Sequence, residues 1–137
     1  MLSLLNISNI ALIDELRVEF SKGLNLLTGE TGSGKSIIVD ALGILIGGRF
    51  TSDLLKTGAE RGSIEGLFSV TPSPPLAAAL GAAGIEEETA TGEATLETDI
   101  IIRRELSASG RNKIFINNQL ATQSLLRELR PFLVDIH

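Results

Sequence analysis

The sequence contains no cysteine, tryptophan or tyrosine, and its single histidine, His137, is the last residue. Without cysteine, a disulfide framework and a thiolate metal site are both excluded, and the composition fits a reducing compartment. A single histidine at the last position also argues against a histidine-rich metal site and against a Ser-His-Asp triad. These absences exclude several common classes of metalloprotein and hydrolase.

Basic residues are absent from one long segment, residues 62–102, which contains seven acidic residues. The whole chain has 12 Lys and Arg against 17 Asp and Glu, a net charge of −5, so the rest of the chain is mildly basic. The net charge argues against binding nucleic acid through bulk charge alone. We interpret residues 71–98 as a variable acidic insertion and assign no role to its acidic residues.

The length of 137 residues predicts one domain or part of one, and 43% hydrophobic with 21% charged residues is a globular composition. The longest apolar stretch, residues 37–46, is interrupted by Asp40 and is far shorter than the roughly 20 residues that cross a bilayer. The first residues lack the basic region and the cleavage site of a signal peptide. We therefore expect a cytoplasmic protein without a membrane partner.

Hydrophobic patterning predicts strands and helices that are interspersed along the chain. Strands are expected at residues 2–7, 16–20, 24–28, 64–70, 96–105, 112–117 and 132–136, with 96–105 and 112–117 paired as a hairpin. Helices are expected at residues 35–46, 76–84 and 122–129. The first should be mostly buried, with Val39 and Ile44 on its other faces. Residues 71–75 should break regular structure, while Thr122 should cap the third helix and Pro131 should end it.

One motif dominates the sequence and matches the phosphate-binding loop pattern G-x-x-x-x-G-K-[ST], also called Walker A. Its residues are Gly29, Glu30, Thr31, Gly32, Ser33, Gly34, Lys35 and Ser36. An apolar strand is predicted directly before the motif and an apolar helix directly after it, which is the context that the motif requires. The motif therefore predicts a nucleotide-binding site.

The residue types of this loop suit ATP and Mg²⁺. Glycines let successive backbone N–H groups turn towards a phosphate without Cβ clashes, and the following helix directs its N-terminal dipole at the same anion. Lys35 is expected to contact the β- and γ-phosphates, and the Ser36 hydroxyl is expected to ligate Mg²⁺. We assign Lys35 as the catalytic residue of the loop.

The motif alone leaves the reaction open, since hydrolysis also needs a Walker B carboxylate, a base and a charge-stabilising group. Asp135, after the apolar residues 132–134, is a candidate Walker B carboxylate or the polar end of an ordinary buried strand. The first reading describes a small, self-contained P-loop kinase or NTPase. A third reading is a non-enzymatic module that mainly pairs with another protein part.

The motif and its flanks resemble the start of an SMC-type ABC ATPase head, and most closely the RecN family of bacterial DNA-repair ATPases. The resemblance includes residues 4–14 and 16–20 before the loop. It continues through residues 44–62, the run Arg103-Arg104-Glu105, residues 110–117 and residues 133–137. It covers nearly the whole chain and is weakest at residues 71–98.

This resemblance implies an α/β fold of the P-loop NTPase class, with a mixed sheet and an antiparallel β portion. Residues 1–137 would form the N-terminal lobe of a head. The Q-loop, signature motif and Walker B strand of that head would lie further along the chain. On that reading Asp135 is not the Walker B carboxylate. ATP hydrolysis would need the C-terminal lobe and a second head of a homodimer, with DNA as a further partner in double-strand-break repair. The chain alone would bind nucleotide without efficient turnover, and the complete protein would be associated with the nucleoid.

The resemblance also assigns roles to basic residues outside the loop. Arg49 lies where related heads carry an arginine that links ATP to DNA, although a cation near a helix C-terminus is also favoured by the helix dipole. Four cations, Arg103, Arg104, Arg111 and Lys113, lie on or near the predicted hairpin and are candidates for DNA phosphate contacts. The alternative for these four is a solvated hairpin face.

Overall fold

The computed structural model describes residues 2–11, 13–19, 32–70, 73–84 and 98–133. The described strands are β1 (Leu2–Ile10), β2 (Ile13–Glu19), β3 (Arg61–Val70), β4 (Thr98–Ser107), β5 (Asn112–Ile116) and β6 (Gln119–Ala121). The helices are α1 (Gly32–Leu45), α2 (Pro74–Ala82) and α3 (Gln123–Leu133), with a 3-10 turn at Ser52–Leu54. Most strands and helices predicted within the described residues are therefore confirmed, with shifted boundaries.

The six described strands form one sheet in the order β2-β1-β3-β4-β5-β6. Every pairing among them is antiparallel, which is the antiparallel β portion that the sequence predicts. The predicted hairpin is confirmed, since Arg104 on β4 lies opposite Ile114 on β5. The strand predicted at residues 24–28 and the end of that predicted at 132–136 lie outside the described residues, as do the acidic residues 86–97.

The helices cover one face of this sheet, which we call the inner face, and the opposite face is the outer face. Alternate residues of β3 and β4 point to the inner face and are buried, including Ile64, Phe68, Ile100 and Ile102. Helix α1 packs against β3 and β4, and α3 packs against β3 and α2. The core therefore lies between the inner face and the three helices.

Helix α1 buries one stripe of side chains against the sheet. Ile38, Ala41, Ile44 and Leu45 are buried at the spacing of one helical face. Val39, however, is 56% exposed. The expectation of Ile44 on another face was therefore wrong, because Ile44 belongs to the stripe that packs against the inner face. Within residues 38–45, whose side chains the structure describes, the helix is buried on one side and exposed on the other.

Helix α2 begins with a proline. Pro74 opens α2 after the N-cap Ser73, whose hydroxyl accepts a hydrogen bond from the Leu76 amide at 3.3 Å. The helix therefore begins within the segment expected to break regular structure, because proline suits the first turn.

Helix α3 begins as predicted and ends later than predicted. Thr122 caps it by accepting a hydrogen bond from the Leu125 amide at 3.1 Å, which confirms the predicted cap. Pro131 lies inside α3, which continues to Leu133, so the prediction that Pro131 ends the helix was wrong. Leu129 and Leu133 are both buried, and this packing outweighs the one hydrogen bond that a proline in the last turn removes. Phe132 and Leu133 are consequently helical, not part of a strand.

Strand β6 was not predicted from the sequence. It follows a two-residue turn in which Asn117 and Asn118 have φ angles of 50° and 65°. Positive φ at both central residues is the mark of a tight hairpin turn, and Asn tolerates it better than most residues do. The Asn-Asn pair directly after the apolar residues 114–116 was the available signal. Within the described part of the chain, no helix is long and apolar enough to cross a membrane.

Close packing between strands predicts that Gly62 cannot accept a side chain. A Cβ atom at Gly62 would lie 2.7 Å from the Asn9 carbonyl oxygen, which is backbone and cannot rotate away. We expect Gly62→Ala to lower the free energy of unfolding by about 1–3 kcal/mol in chemical denaturation. Gly81→Ala is the control, because nothing lies within 4 Å of its Cβ position and alanine favours a helix. An equal loss in both variants would contradict this account.

Candidate functional site

The phosphate-binding motif leads into helix α1. The helix begins at Gly32, so the backbone of Gly32, Ser33 and Gly34 forms its first turn and Lys35 and Ser36 follow directly. The first turn contains no acidic residue, and the first amides of a helix have no intrahelical partner. This end of α1 is therefore suited to an anion. Gly29, Glu30, Thr31 and the side chains of Lys35 and Ser36 lie outside the described part of the structure.

The opposite end of α1 is held by a buried arginine. Arg104 on β4 is only 2% exposed, and its Nη1 donates hydrogen bonds to the Ile44 carbonyl at 2.8 Å and to the Gly48 carbonyl. Its guanidinium also lies over the Phe50 ring, 5.5 Å from the ring centroid. A protonated arginine placed here matches the negative end of the helix dipole.

Burial lowers the pKa of the Arg104 guanidinium below its ordinary value, because desolvation penalises the charged form. Arginine nevertheless remains charged in proteins. No ion pair in the described part of the structure involves Arg104, so its charge is met by carbonyl dipoles and an aromatic ring. Its Nε is buried without a hydrogen-bond partner among the described residues. The prediction that Arg104 lies on a DNA-facing or solvated hairpin face is therefore wrong.

Two further side chains hold the backbone that follows α1. Gln123 Nε2 at the start of α3 donates to the Gly47 carbonyl at 3.2 Å, and Asn112 Nδ2 on β5 donates to the Phe50 carbonyl. We call Arg104, Asn112 and Gln123 the backbone clamp, and residues 47–50 the clamped segment. The clamp joins three separate elements to one short piece of backbone.

Arg49 lies within the clamped segment and is exposed, whereas Phe50 beside it is buried. The Arg49 side chain, selected from the sequence, is therefore accessible to a ligand in the structure. Its role beside the nucleotide stays a prediction.

Arg103, the neighbour of Arg104, points to the outer face and is already paired. Its Nε donates to Glu105 at 3.0 Å, its Nη1 lies 3.6 Å from a Glu65 carboxylate oxygen, and its guanidinium lies 4.5 Å from the centroid of the Phe115 ring. Arg103 also donates to the Asn118 side-chain oxygen at 3.3 Å. These contacts across three strands give it a structural role.

The other two hairpin cations lie around an open cavity of about 610 Å³, which we call the outer groove. Arg111 and Lys113 line it together with Arg61, a cation that sequence reasoning did not select. All three are exposed, and none takes part in the ion pairs found among the described residues. Glu105 is the acidic residue in the lining, and it is paired with Arg103. The outer groove therefore presents an excess of positive charge.

Sequence reasoning missed the backbone clamp and Arg61. The period-2 alternation of β4 was a usable signal, because Arg104 has the same parity as the buried Ile100 and Ile102. No local signal indicates that Asn112 and Gln123 meet the backbone after α1, since those contacts join residues 62 and 76 positions apart.

Comparison with known proteins gives matches along almost the whole chain. The family model described as an AAA domain matches residues 4–129. The DNA repair protein RecN of Halalkalibacterium halodurans is 43% identical over 137 residues, and that of Bacillus subtilis is 40% identical over 137 residues. The alignments cover 100% of this chain but only 23% and 22% of those relatives.

Solved structures share the fold. The SMC head domain from Thermotoga maritima matches with a TM-score of 0.63 at 22% identity, covering 93% of this chain and 41% of that chain. A structure from work on ATP-driven dimerization and DNA stimulated activation of SMC ATPases matches with a TM-score of 0.65 at 23% identity, covering 93% of this chain and 75% of that one. The predicted resemblance to RecN proteins is confirmed in sequence, and the predicted resemblance to SMC-type heads is confirmed in fold.

The contacts of Arg103 predict a modest stabilising role. We expect Arg103→Ala to lower the free energy of unfolding by about 1 kcal/mol, because it removes partly buried ion pairs and a cation–π contact. Arg17→Ala is the control, since its pair with Glu19 is largely exposed and should contribute almost nothing. Chemical denaturation at low and high salt measures both effects. Equal losses in the two variants would contradict a structural role for Arg103.

Proposed function

Because the chain belongs to the AAA domain family and aligns with RecN proteins along its whole length, we propose that it is the ATP-binding N-terminal lobe of a RecN-like ATPase head. The observation that carries this proposal is the phosphate-binding motif with its second half at the start of α1. The complete protein would act in DNA double-strand-break repair and recombination. We place it in the cytoplasm, associated with the nucleoid.

In this proposal the loop residues bind and orient ATP. The backbone amides of residues 29–36 surround the phosphates, and Lys35 neutralises charge on the β- and γ-phosphates. Ser36 would hold Mg²⁺, and the donor set fits because a hydroxyl after a loop lysine is the usual ligand there. When bound, Mg²⁺ would neutralise negative charge on the phosphates. The lobe thus positions the γ-phosphate for in-line attack by water.

Turnover would require parts beyond this lobe. The chain spans less than a quarter of the length of the RecN relatives above, and phosphoryl transfer also needs a carboxylate and a group that orients water. We propose that the C-terminal lobe and the second head of a homodimer supply them. The lobe alone would bind ATP with little hydrolysis.

The rival assignment of a small kinase or NTPase that uses Asp135 is not favoured. Asp135 lies outside the described residues, and the predicted Walker B strand is replaced by helix α3 as far as Leu133. The alignment with RecN along the entire chain also supports the lobe. The third reading, a module that only pairs with another part, leaves the complete phosphate-binding motif unexplained.

DNA contact in the complete protein would use the outer groove. Arg61, Arg111 and Lys113 are exposed there, and hydroxyl groups line the same cavity. Phosphate contacts of this kind position a protein on DNA without reading sequence. Of the four cations first considered, Arg111 and Lys113 are retained for this role, whereas Arg103 is paired and Arg104 is buried.

Loss of the loop lysine tests the nucleotide site. We expect Lys35→Ala to weaken ATP binding by roughly 10- to 100-fold, because a charge-assisted contact to phosphate is removed. Isothermal titration of the full-length protein with ATP and Mg²⁺ measures the change. Lys56→Ala is the control, since Lys56 pairs with Asp14. Equal affinity of wild type and Lys35→Ala would overturn the proposal.

Removal of the groove cations tests the DNA contact. We expect the triple variant Arg61→Ala, Arg111→Ala, Lys113→Ala to bind DNA more weakly and to reduce the slope of log K against log salt by about 2–3 units. The matched control replaces the exposed Arg17, Arg127 and Arg130, which lie outside the groove lining. The same slope change in both triple variants would show that bulk charge, not the groove, binds DNA.

A further inference from the structure

The clamped segment is held more extensively than a helix end requires. The last carbonyls of any α-helix need donors from outside the helix, and Arg104 supplies one to Ile44. A glycine turn already serves this end, because the Gly48 amide donates to the Gly43 carbonyl at 2.9 Å. The additional contacts to Gly48 and Phe50 lie beyond the end of α1. Capping of the helix therefore does not account for them.

The extra contacts flank a single exposed side chain. Arg104 binds the carbonyl of Gly48, which belongs to the peptide bond before Arg49, and Asn112 binds the carbonyl of Phe50 directly after it. The Phe50 side chain is 3% exposed, and it lies beneath the Arg104 guanidinium. Arg49 thus has a long side chain with many rotamers, but its backbone is held by hydrogen bonds on both sides.

Close packing further restricts this backbone. A Cβ atom at Gly48 would lie 2.7 Å from the Gly43 carbonyl oxygen, and Gly47 has a φ angle of +117°. The segment consequently has one path away from the helix and little freedom to relax if a clamp contact is lost.

We propose that Arg104, with Asn112 and Gln123, is a positioning residue that fixes the backbone at Arg49, so that the Arg49 guanidinium is presented to the nucleotide from one defined place. This inference rests on the proposed function and on the role that the resemblance to SMC-type heads implies for Arg49, which is to lie near ATP and link it to DNA. Arg104 itself is buried and would not contact the nucleotide directly. It acts through Arg49, because a group that is held in a defined place contacts its target at a lower entropic cost.

The experiment compares four variants of the full-length protein: Arg49→Ala, Arg104→Met, their double variant and Arg104→Lys. Ile102→Ala is the matched control, because Ile102 is fully buried on the same strand and face as Arg104 but its apolar side chain cannot donate a hydrogen bond to the clamped segment. Two quantities are measured: amide hydrogen exchange of peptides that cover residues 47–51, and the rate of ATP hydrolysis with and without DNA.

The clamp predicts a specific pattern of exchange. In Arg104→Met, exchange at residues 47–51 should be about tenfold faster, because a loss of about 1.4 kcal/mol changes an opening equilibrium tenfold. Arg104→Lys should be intermediate, since one ammonium group retains part of the donor set. Ile102→Ala should leave exchange in this segment unchanged. Wild-type exchange in Arg104→Met would overturn the clamp whatever the role of Arg49.

Hydrolysis rates test whether the clamp acts through Arg49. Arg49→Ala and Arg104→Met should each lower DNA-stimulated hydrolysis by about tenfold, and the double variant should be no slower than either single variant. Multiplied losses would overturn the inference, because Arg104 would then act independently of Arg49. A silent Arg49→Ala would overturn the proposed role of Arg49, and with it any function for the clamp, even with ATP binding still dependent on Lys35.

Discussion

The structure depends on one buried charge, the Arg104 guanidinium at the carboxyl end of α1. Taking a guanidinium out of water is costly, and among the described residues no carboxylate compensates it. The cost is offset by the last carbonyls of the helix, which carry the negative end of its dipole, and by the Phe50 ring. The same contacts fix α1 to the inner face of the sheet. Because α1 is a rigid rod of 14 residues, about 21 Å long, fixing one end also restricts the other end, where the second half of the phosphate-binding motif lies.

Features encoded by neighbouring residues could be predicted from the sequence, and features encoded by distant ones could not. The phosphate-binding motif, the strand alternation and the Thr122 cap each depend on residues a few positions apart, so pattern reasoning found them. Pro131 did not end α3, as the local rule for proline predicts, because burial of Leu129 and Leu133 against other elements decided where the helix ends. Arg104 was placed on the surface because a charged residue is usually exposed. Its partners are about 60 positions away in the sequence.

The two faces of the sheet divide the basic residues into distinct sets. On the inner face, Arg104 has a structural role, because it binds backbone carbonyls at and after the end of α1. On the outer face, Arg103 is paired with carboxylates, whereas Arg61, Arg111 and Lys113 remain accessible around the outer groove. A net charge of −5 is therefore compatible with a locally basic surface, since charge sign on a protein is a property of a patch and not of a chain.

Consecutive residues of the β4–β5 hairpin serve opposite faces, and this has a consequence for how the protein can change over evolution. Arg103 and Arg104 are adjacent on β4, and Asn112 and Lys113 are adjacent on β5. An insertion or deletion of one residue in either strand would exchange inward and outward side chains at once, burying a surface cation and exposing the clamp. Substitutions can alter either face alone. We therefore expect length changes to be tolerated better in the connecting loop than in the strands, which are constrained in length as well as in residue type.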